Sequence, residues 1–225
     1  MQHITEYPFG NVASMTGVAG RPRTRSDEEI FDAVLRAAAR AGARGVTLAD
    51  IAAEAGLSPS TLVERFGSKR ALLLAAGRTA VDGVAAAFAR TTAREASHLR
   101  ALADALVLLS NGVRTRPALA HHLGALQLDI ADRDFRRLAR GHASALQTQL
   151  ARVLARARAA GELAQRADPE RLARTIQVSY NGAIISWGIS GLGPLEPALR
   201  DELDAVLAPW RTPAGAPERE FDRLP

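Results

Sequence analysis

The chain has 225 residues, 47% hydrophobic but only 4% aromatic, and is rich in alanine and arginine. Alanine and leucine favour helix while strand-forming side chains are sparse, which argues against a sheet-rich fold. The 29 basic and 24 acidic residues leave a net charge of +5. Residues 1–75 hold nine basic and eight acidic side chains, which excludes a globally basic nucleic-acid-binding domain and leaves only a local patch.

All but one of the basic residues are arginine, a usage that a GC-rich genome also produces, so the isoelectric point near 10.7 carries little weight alone. Absence of cysteine removes disulfides and thiolate metal sites and fits a reducing compartment. No apolar run of about 18 residues is evident, so no membrane span is expected. The first 20 residues lack the charged start and apolar core of a secretion signal. The expectation is a cytoplasmic protein without cofactor.

Residues 1–24 carry Pro8, Gly10, Gly17, Gly20 and Pro22 without a sustained period and read as a flexible arm. Ser26 with Glu29 forms a capping box, and Ile30, Val34, Ala37, Ala38 and Ala41 recur at helical spacing until Gly42 and Gly45. Thr47 caps a second helix, with Leu48, Ile51, Ala52 and Ala55 inward and Gly56 at its end. Ser58 caps a third, with Pro59 at its first position, ending near Phe66-Gly67. Ser68 caps a long fourth helix that runs through Leu72, Leu73, Ala76, Ala80 and Val84 to about Thr91.

Longer helices with rarer breakers are expected near 97–112, 117–130, 132–160, 168–190 and 195–210. Residues 212–225 are Pro-rich, charged and read as disordered. The predicted fold is all-α. An N-terminal three-helix helix-turn-helix domain (25–75) is linked by a long helix to a larger helical domain (76–211).

Helix, tight Gly-containing turn, helix is the unit that lays its second helix in the DNA major groove. Ala52 is small where the two helices cross, Gly56 makes the turn, and Ile51, Leu57 and Leu62 pack the corner. Ser58, Ser60, Thr61, Glu64 and Arg65 remain outside, able to hydrogen-bond bases or phosphates. The competing reading is a packing corner inside an unrelated helical protein.

The string Thr47, "DIAAEAGLS" at 50–58, "STL" at 60–62, Phe66 and "SKRALL" at 68–73 resembles the DNA-binding domain of the TetR family of bacterial transcriptional repressors. The likeness covers about residues 26–75; the rest agrees in architecture only. It implies DNA contacts from Thr47, Ser58, Pro59, Ser60, Thr61, Val63, Glu64, Arg65 and Lys69, with Arg23 and Arg25 of the arm. Two positions depart from the family. Val63 stands where an aromatic residue is usual, and Arg65 where His or Tyr is common. Val63 is left to touch a thymine methyl, and Arg65 to supply the lost polar contact.

Lys69, the only lysine, sits at the start of the fourth helix, where backbone amides and the dipole favour phosphate; its alternative is a solvated charge. Arg21, Arg23 and Arg25 either reach into the minor groove or belong to a solvated tail.

In "TIQVSYNGAIISWGISG", 175–191, Ile176, Tyr180, Ala183 and Trp187 lie on one stripe and Val178, Gly182, Ile185 and Ile189 on another. A helix apolar on two sides is buried on two sides. One stripe faces its own core; the other, with Leu199, Leu203, Val206 and Leu207 of the last helix, faces a second subunit. The alternative is a fully internal helix in a monomer. The resemblance implies dimerisation through a four-helix bundle of the last two long helices.

It also implies a pocket for a small, mostly apolar effector. Asn111, His122, Gln127, His142, Gln149, Gln177 and Trp187 are the candidates to orient it, each alone more often a satisfied core or surface group. His121, His122 and His142 lack the spacing of a metal site, and no serine has the strand–turn–helix setting of a nucleophile, so no metal or catalytic residue is assigned. The chain therefore reads as a homodimeric repressor that binds a pseudo-palindromic double-stranded operator and is released by an effector. The alternatives are a nonspecific architectural DNA binder and an enzyme on a helical fold.

Overall fold

A computed structural model describes residues 25–190 and 193–212, with the side chains of 43, 44 and 127–129 outside the description. The predicted arm 1–24 and nearly all of the tail 212–225 lie outside these residues. Among the described residues the chain is helical, with one antiparallel bridge between Leu163 and Arg211. The order is α1 (Asp27–Gly45), α2 (Leu48–Ala55), α3 (Pro59–Phe66), α4 (Lys69–Thr92), α5 (His98–Leu109), α6 (Arg116–Ala131), α7 (Arg133–Ala159), α8 (Pro169–Ser190) and α9 (Leu195–Leu207). The helix expected over 97–112 divides at Ser110, whose hydroxyl bonds the Val107 carbonyl, and continues as a 3-10 turn, Ser110–Val113.

Local chemistry sets the starts. Ser26 and Thr47 close capping boxes with Glu29 and Asp50, while Ser58, Ser68 and Ser97 accept from the backbone N–H three residues on. Each such cap contributes about 1 kcal/mol. Gly56, at φ 66°, takes the left-handed conformation that turns the chain from α2 into α3.

The first apolar cluster joins Ile30, Val34, Ile51, Leu62, Leu72 and Ala76. The second, larger one includes Val84, Phe88, Leu102, Leu106, Leu154 and Ile176. Full burial of a large apolar side chain stabilises by about 1.5–3 kcal/mol, so each cluster can order its own unit.

α4 belongs to both clusters, through Leu72 and Ala76 at one end and Val84 and Phe88 at the other. Its 24 residues span about 36 Å. By length and composition alone α4 is apolar enough to cross a membrane, which corrects the expectation that no such segment exists. Its packing explains the composition: a helix that crosses from one core to the other is apolar on different faces along its length.

Two further contacts tie the units together. α6 lies along α1, and the His121 Nδ1 is 2.7 Å from the Ala39 carbonyl oxygen. At the start of α4 the Arg70 guanidinium donates to both oxygens of Asp132, at 2.8 and 2.9 Å, and to Asp134 at 3.0 Å.

Candidate nucleic-acid interface and effector region

α2 and α3 cross at a fixed angle because the turn is closed from both sides. The Leu57 amide donates to the Ala52 carbonyl at 2.9 Å, and Ile51, Ala52 and Leu62 are buried beneath it. This leaves the other face of α3 in solvent: Ser58, Pro59, Ser60, Thr61, Val63, Glu64 and Arg65 are all exposed. At its start the Ser58 hydroxyl lies 2.7 Å from that of Ser60 and 2.8 Å from that of Thr61. These hydroxyls share one small cluster at the positive end of the helix.

Four more of the residues read from sequence as DNA contacts have intramolecular partners. The Arg65 guanidinium donates to the Arg25 carbonyl at 2.6 Å, pairs with Asp27 at 2.6 Å and lies over the Phe66 ring. It fastens the end of α3 to the start of α1. The Lys69 ammonium reaches back to the Val46 carbonyl at 2.9 Å and is half-buried, so the helix-start position does not leave it aimed outward. The Thr47 hydroxyl donates to the Asp50 carboxylate at 2.7 Å, and hydrogen bonds from the Thr47 hydroxyl and amide hold that carboxyl below its usual range. Arg25 pairs with Glu29 at 2.9 Å, and Arg23 lies outside the described residues.

The seven candidate effector contacts do not converge on one cavity. Trp187 is part of the core and its Nε1 donates to the Gly193 carbonyl at 3.0 Å. Gln177 donates to the Ala143 carbonyl at 3.0 Å. His142 is half-buried on α7, and burial, with His122 close by, holds its imidazole below the usual histidine value. Gln149 is half-buried on the same helix and His122 is exposed on α6. The Gln127 side chain lies outside the description.

Surface clefts of about 350 and 560 Å³ open on the larger domain, and of the seven only Asn111 lines either. The resemblance implies a pocket without naming its walls, and the seven are grouped only as polar or aromatic side chains among the middle helices. The contacts that satisfy Trp187 and Gln177 come from residues outside that group.

Val178, Ile185 and Ile189 are 73, 40 and 81% exposed, and a Cβ added at Gly182 would meet open space. Ile176, Tyr180 and Trp187, on the other stripe of α8, are buried, with the Tyr180 hydroxyl donating to the Leu106 carbonyl. Leu199 and Leu203 correct the expected subunit surface. They are 0 and 1% exposed, on the stripe Leu195, Leu199, Leu203 and Leu207 that seals the protomer's own core. One apolar stripe on α9 can face only one partner, and here that partner is internal. Val206 is half-buried against the same core.

Sequence reading had no signal for Glu162. From the turn between α7 and α8 its carboxylate accepts from the Ser97 hydroxyl at 2.7 Å and from the amides of His98 and Leu99 at 2.7 and 3.1 Å, capping α5 from far along the chain. Burial pushes this carboxyl up, but those hydrogen bonds outweigh it and hold it below the usual range.

Residues 30–76 match the family model for bacterial regulatory proteins of the tetR family. No curated protein matches the chain by sequence. Solved structures are similar over most of it. A Rhodococcus sp. protein assigned to the TetR family of transcriptional regulators is 25% identical, with a TM-score of 0.61 over 80% of this chain and 98% of that one. SmeT, the repressor of the Stenotrophomonas maltophilia multidrug efflux pump SmeDEF, is 21% identical, with a TM-score of 0.59 over 89 and 98%. A protein assigned as a transcriptional regulator from Saccharomonospora viridis, in complex with choline, is 24% identical, with a TM-score of 0.63 over 81 and 95%.

Proposed function

We propose, for a chain that belongs to the TetR family of bacterial transcriptional regulators, that it is a repressor which binds a pseudo-palindromic operator as a homodimer and leaves it when a small molecule binds the larger domain. The observation that carries the reading is α3, held at a fixed crossing over a buried corner with its far face entirely in solvent. Ser60, Val63 and Glu64 on that face are the side chains that read base edges. Ser58, Thr61 and the amides at the helix start meet phosphate.

A single eight-residue helix reads too few base pairs for a unique site, so two copies must act about 34–36 Å apart. The uncovered stripe Val178, Gly182, Ile185 and Ile189 supplies a surface for that pairing. The effector role rests on the family and on one structural relative solved with choline. An effector acts only through a difference in affinity between the operator-bound and released arrangements. A DNA-binding regulator of this kind works in the cytoplasm.

The test is binding to the DNA upstream of the protein's own gene against random duplex, at several stated salt concentrations. A repressor prefers its site by about a thousandfold or more. Equal affinity for both, falling steeply with salt, describes an architectural binder instead. Changing Val63 to Thr should alter base preference within the site without changing affinity for random DNA.

A further inference from the structure

The cleft of about 350 Å³ opens where the end of α4 meets one face of α5 and the middle of α9. Arg90 stands in the last turn of α4, Arg94 lies just beyond it, and Arg114 follows the 3-10 turn after α5. All three are exposed, and none has a carboxylate within ion-pair distance among the described residues. A fourth lining arginine, Arg200, differs: it pairs with Asp104 at 2.7 Å and with Glu196 at 2.9 Å. The lining thus sets four arginines against two carboxylates, Asp104 and Glu95. Guanidiniums gathered without counter-ions repel one another, and an anion in the cleft relieves that repulsion while accepting paired N–H donors.

The rest of the lining limits which anion fits. Val107 is buried and Leu108 half-buried, giving the cleft an apolar wall, and Asn111 adds a neutral amide at the rim. A bare oxyanion leaves that wall unused, whereas an organic acid covers it. The volume lies in the range of small-molecule sites.

We propose that this cleft binds a small organic carboxylate, its charge on Arg90, Arg94 and Arg114 and its apolar body against Val107 and Leu108. Of the seven side chains read from sequence as effector contacts, the site shares only Asn111. Because Arg90 lies on α4, and the other end of α4 adjoins α3, such an acid is placed to bias the DNA-binding unit. That consequence rests on the regulator reading above; the binding itself does not.

The test titrates the full chain by calorimetry and thermal melting with acetate, hexanoate and 4-phenylbutyrate, alongside 4-phenylbutanol and inorganic phosphate. 4-Phenylbutyrate should bind at least about tenfold more tightly than 4-phenylbutanol. Its binding should weaken as salt is raised, since the arginines are exposed. Arg94→Gln with Arg114→Gln should abolish acid binding while the ligand-free melting temperature and DNA affinity stay as in the parent. Acid and alcohol binding alike, an unaffected double variant, or no binding by any of the three acids at about 10 mM would overturn the proposal. Phosphate binding as tightly as 4-phenylbutyrate overturns the organic-acid assignment. Acid binding that leaves operator affinity unchanged refutes the coupling but not the site, and failure to bind any operator refutes the regulator reading alone.

Discussion

At the first turn of α4 the single lysine of the chain donates to the Val46 carbonyl, across the turn between α1 and α2. A hydrogen bond from a charged donor contributes roughly 1.5–3 kcal/mol when shielded and less at a half-exposed position. Replacing Lys69 by Met keeps the aliphatic stem and removes the donor. The variant should melt several degrees lower, a loss of about 1 kcal/mol, yet keep the salt dependence of its DNA binding. A salt slope reduced by about one, with unchanged melting, would instead mark Lys69 as a phosphate contact. Arg65 follows the same logic, since its guanidinium already bridges Arg25 and Asp27. Two cations that read as DNA-facing by position have partners inside the folded chain, and the salt slope decides whether either also meets phosphate.

At the scale of helices, the caps and turns were legible because their signals are local. Ser26, Thr47, Ser58 and Ser68 each bond an amide three residues away, and Gly56 turns the chain within its own motif. The cap on α5 was only half legible. Ser97 bonds locally to the Arg100 amide, but the stronger partner, Glu162, is 65 residues from Ser97. The direction of the α9 leucines was hidden for the same reason: an amphipathic helix announces a buried face, not what buries it.

Glu162 gives a test with a defined sign. Its carboxyl lies below the usual range when folded, so its contribution is complete above the unfolded pKa, near 4.3, and is lost as pH falls through the lower folded value. Glu162→Gln should reduce stability by about 1 kcal/mol at pH 7. The gap between parent and variant melting temperatures should narrow between about pH 5 and pH 3. A gap independent of pH would assign the effect to shape and not charge.

Helical glycines give a second contrast. A methyl at Gly188 on α8 collides with the buried Leu119 of α6, so Gly188→Ala should cost about 1–3 kcal/mol. A methyl at Gly83 on α4 meets nothing, and Gly83→Ala should add about 0.5–1 kcal/mol through helix propensity. Thermal melts of both variants check the pair, and equal shifts would contradict the packing described for α6 on α8.

For the whole molecule the question is which apolar surfaces end inside one chain and which remain for a second. Leu203 and Ile189 are both large, apolar and close to the end of the described chain, yet one is 1% and the other 81% exposed. Their substitutions therefore separate the core from the proposed interface. Leu203→Ala leaves a cavity and should cost about 2–5 kcal/mol, lowering the melting temperature without dissociating the assembly beforehand. Ile189→Asp places a charge on the uncovered stripe with Val178, Gly182 and Ile185, where a lone protomer keeps it in water at little cost. In a dimer that charge is desolvated without a partner, which costs several kcal/mol. The variant should sediment as a folded monomer where the parent is a dimer at about 1 μM, a concentration at which association must supply about 8 kcal/mol. Operator affinity should fall with it, because one α3 reaches only one half-site. A parent protein that sediments as a monomer at that concentration, or an Ile189→Asp variant that remains dimeric, would show that the subunits join elsewhere. The stripe on α8 would then serve another purpose.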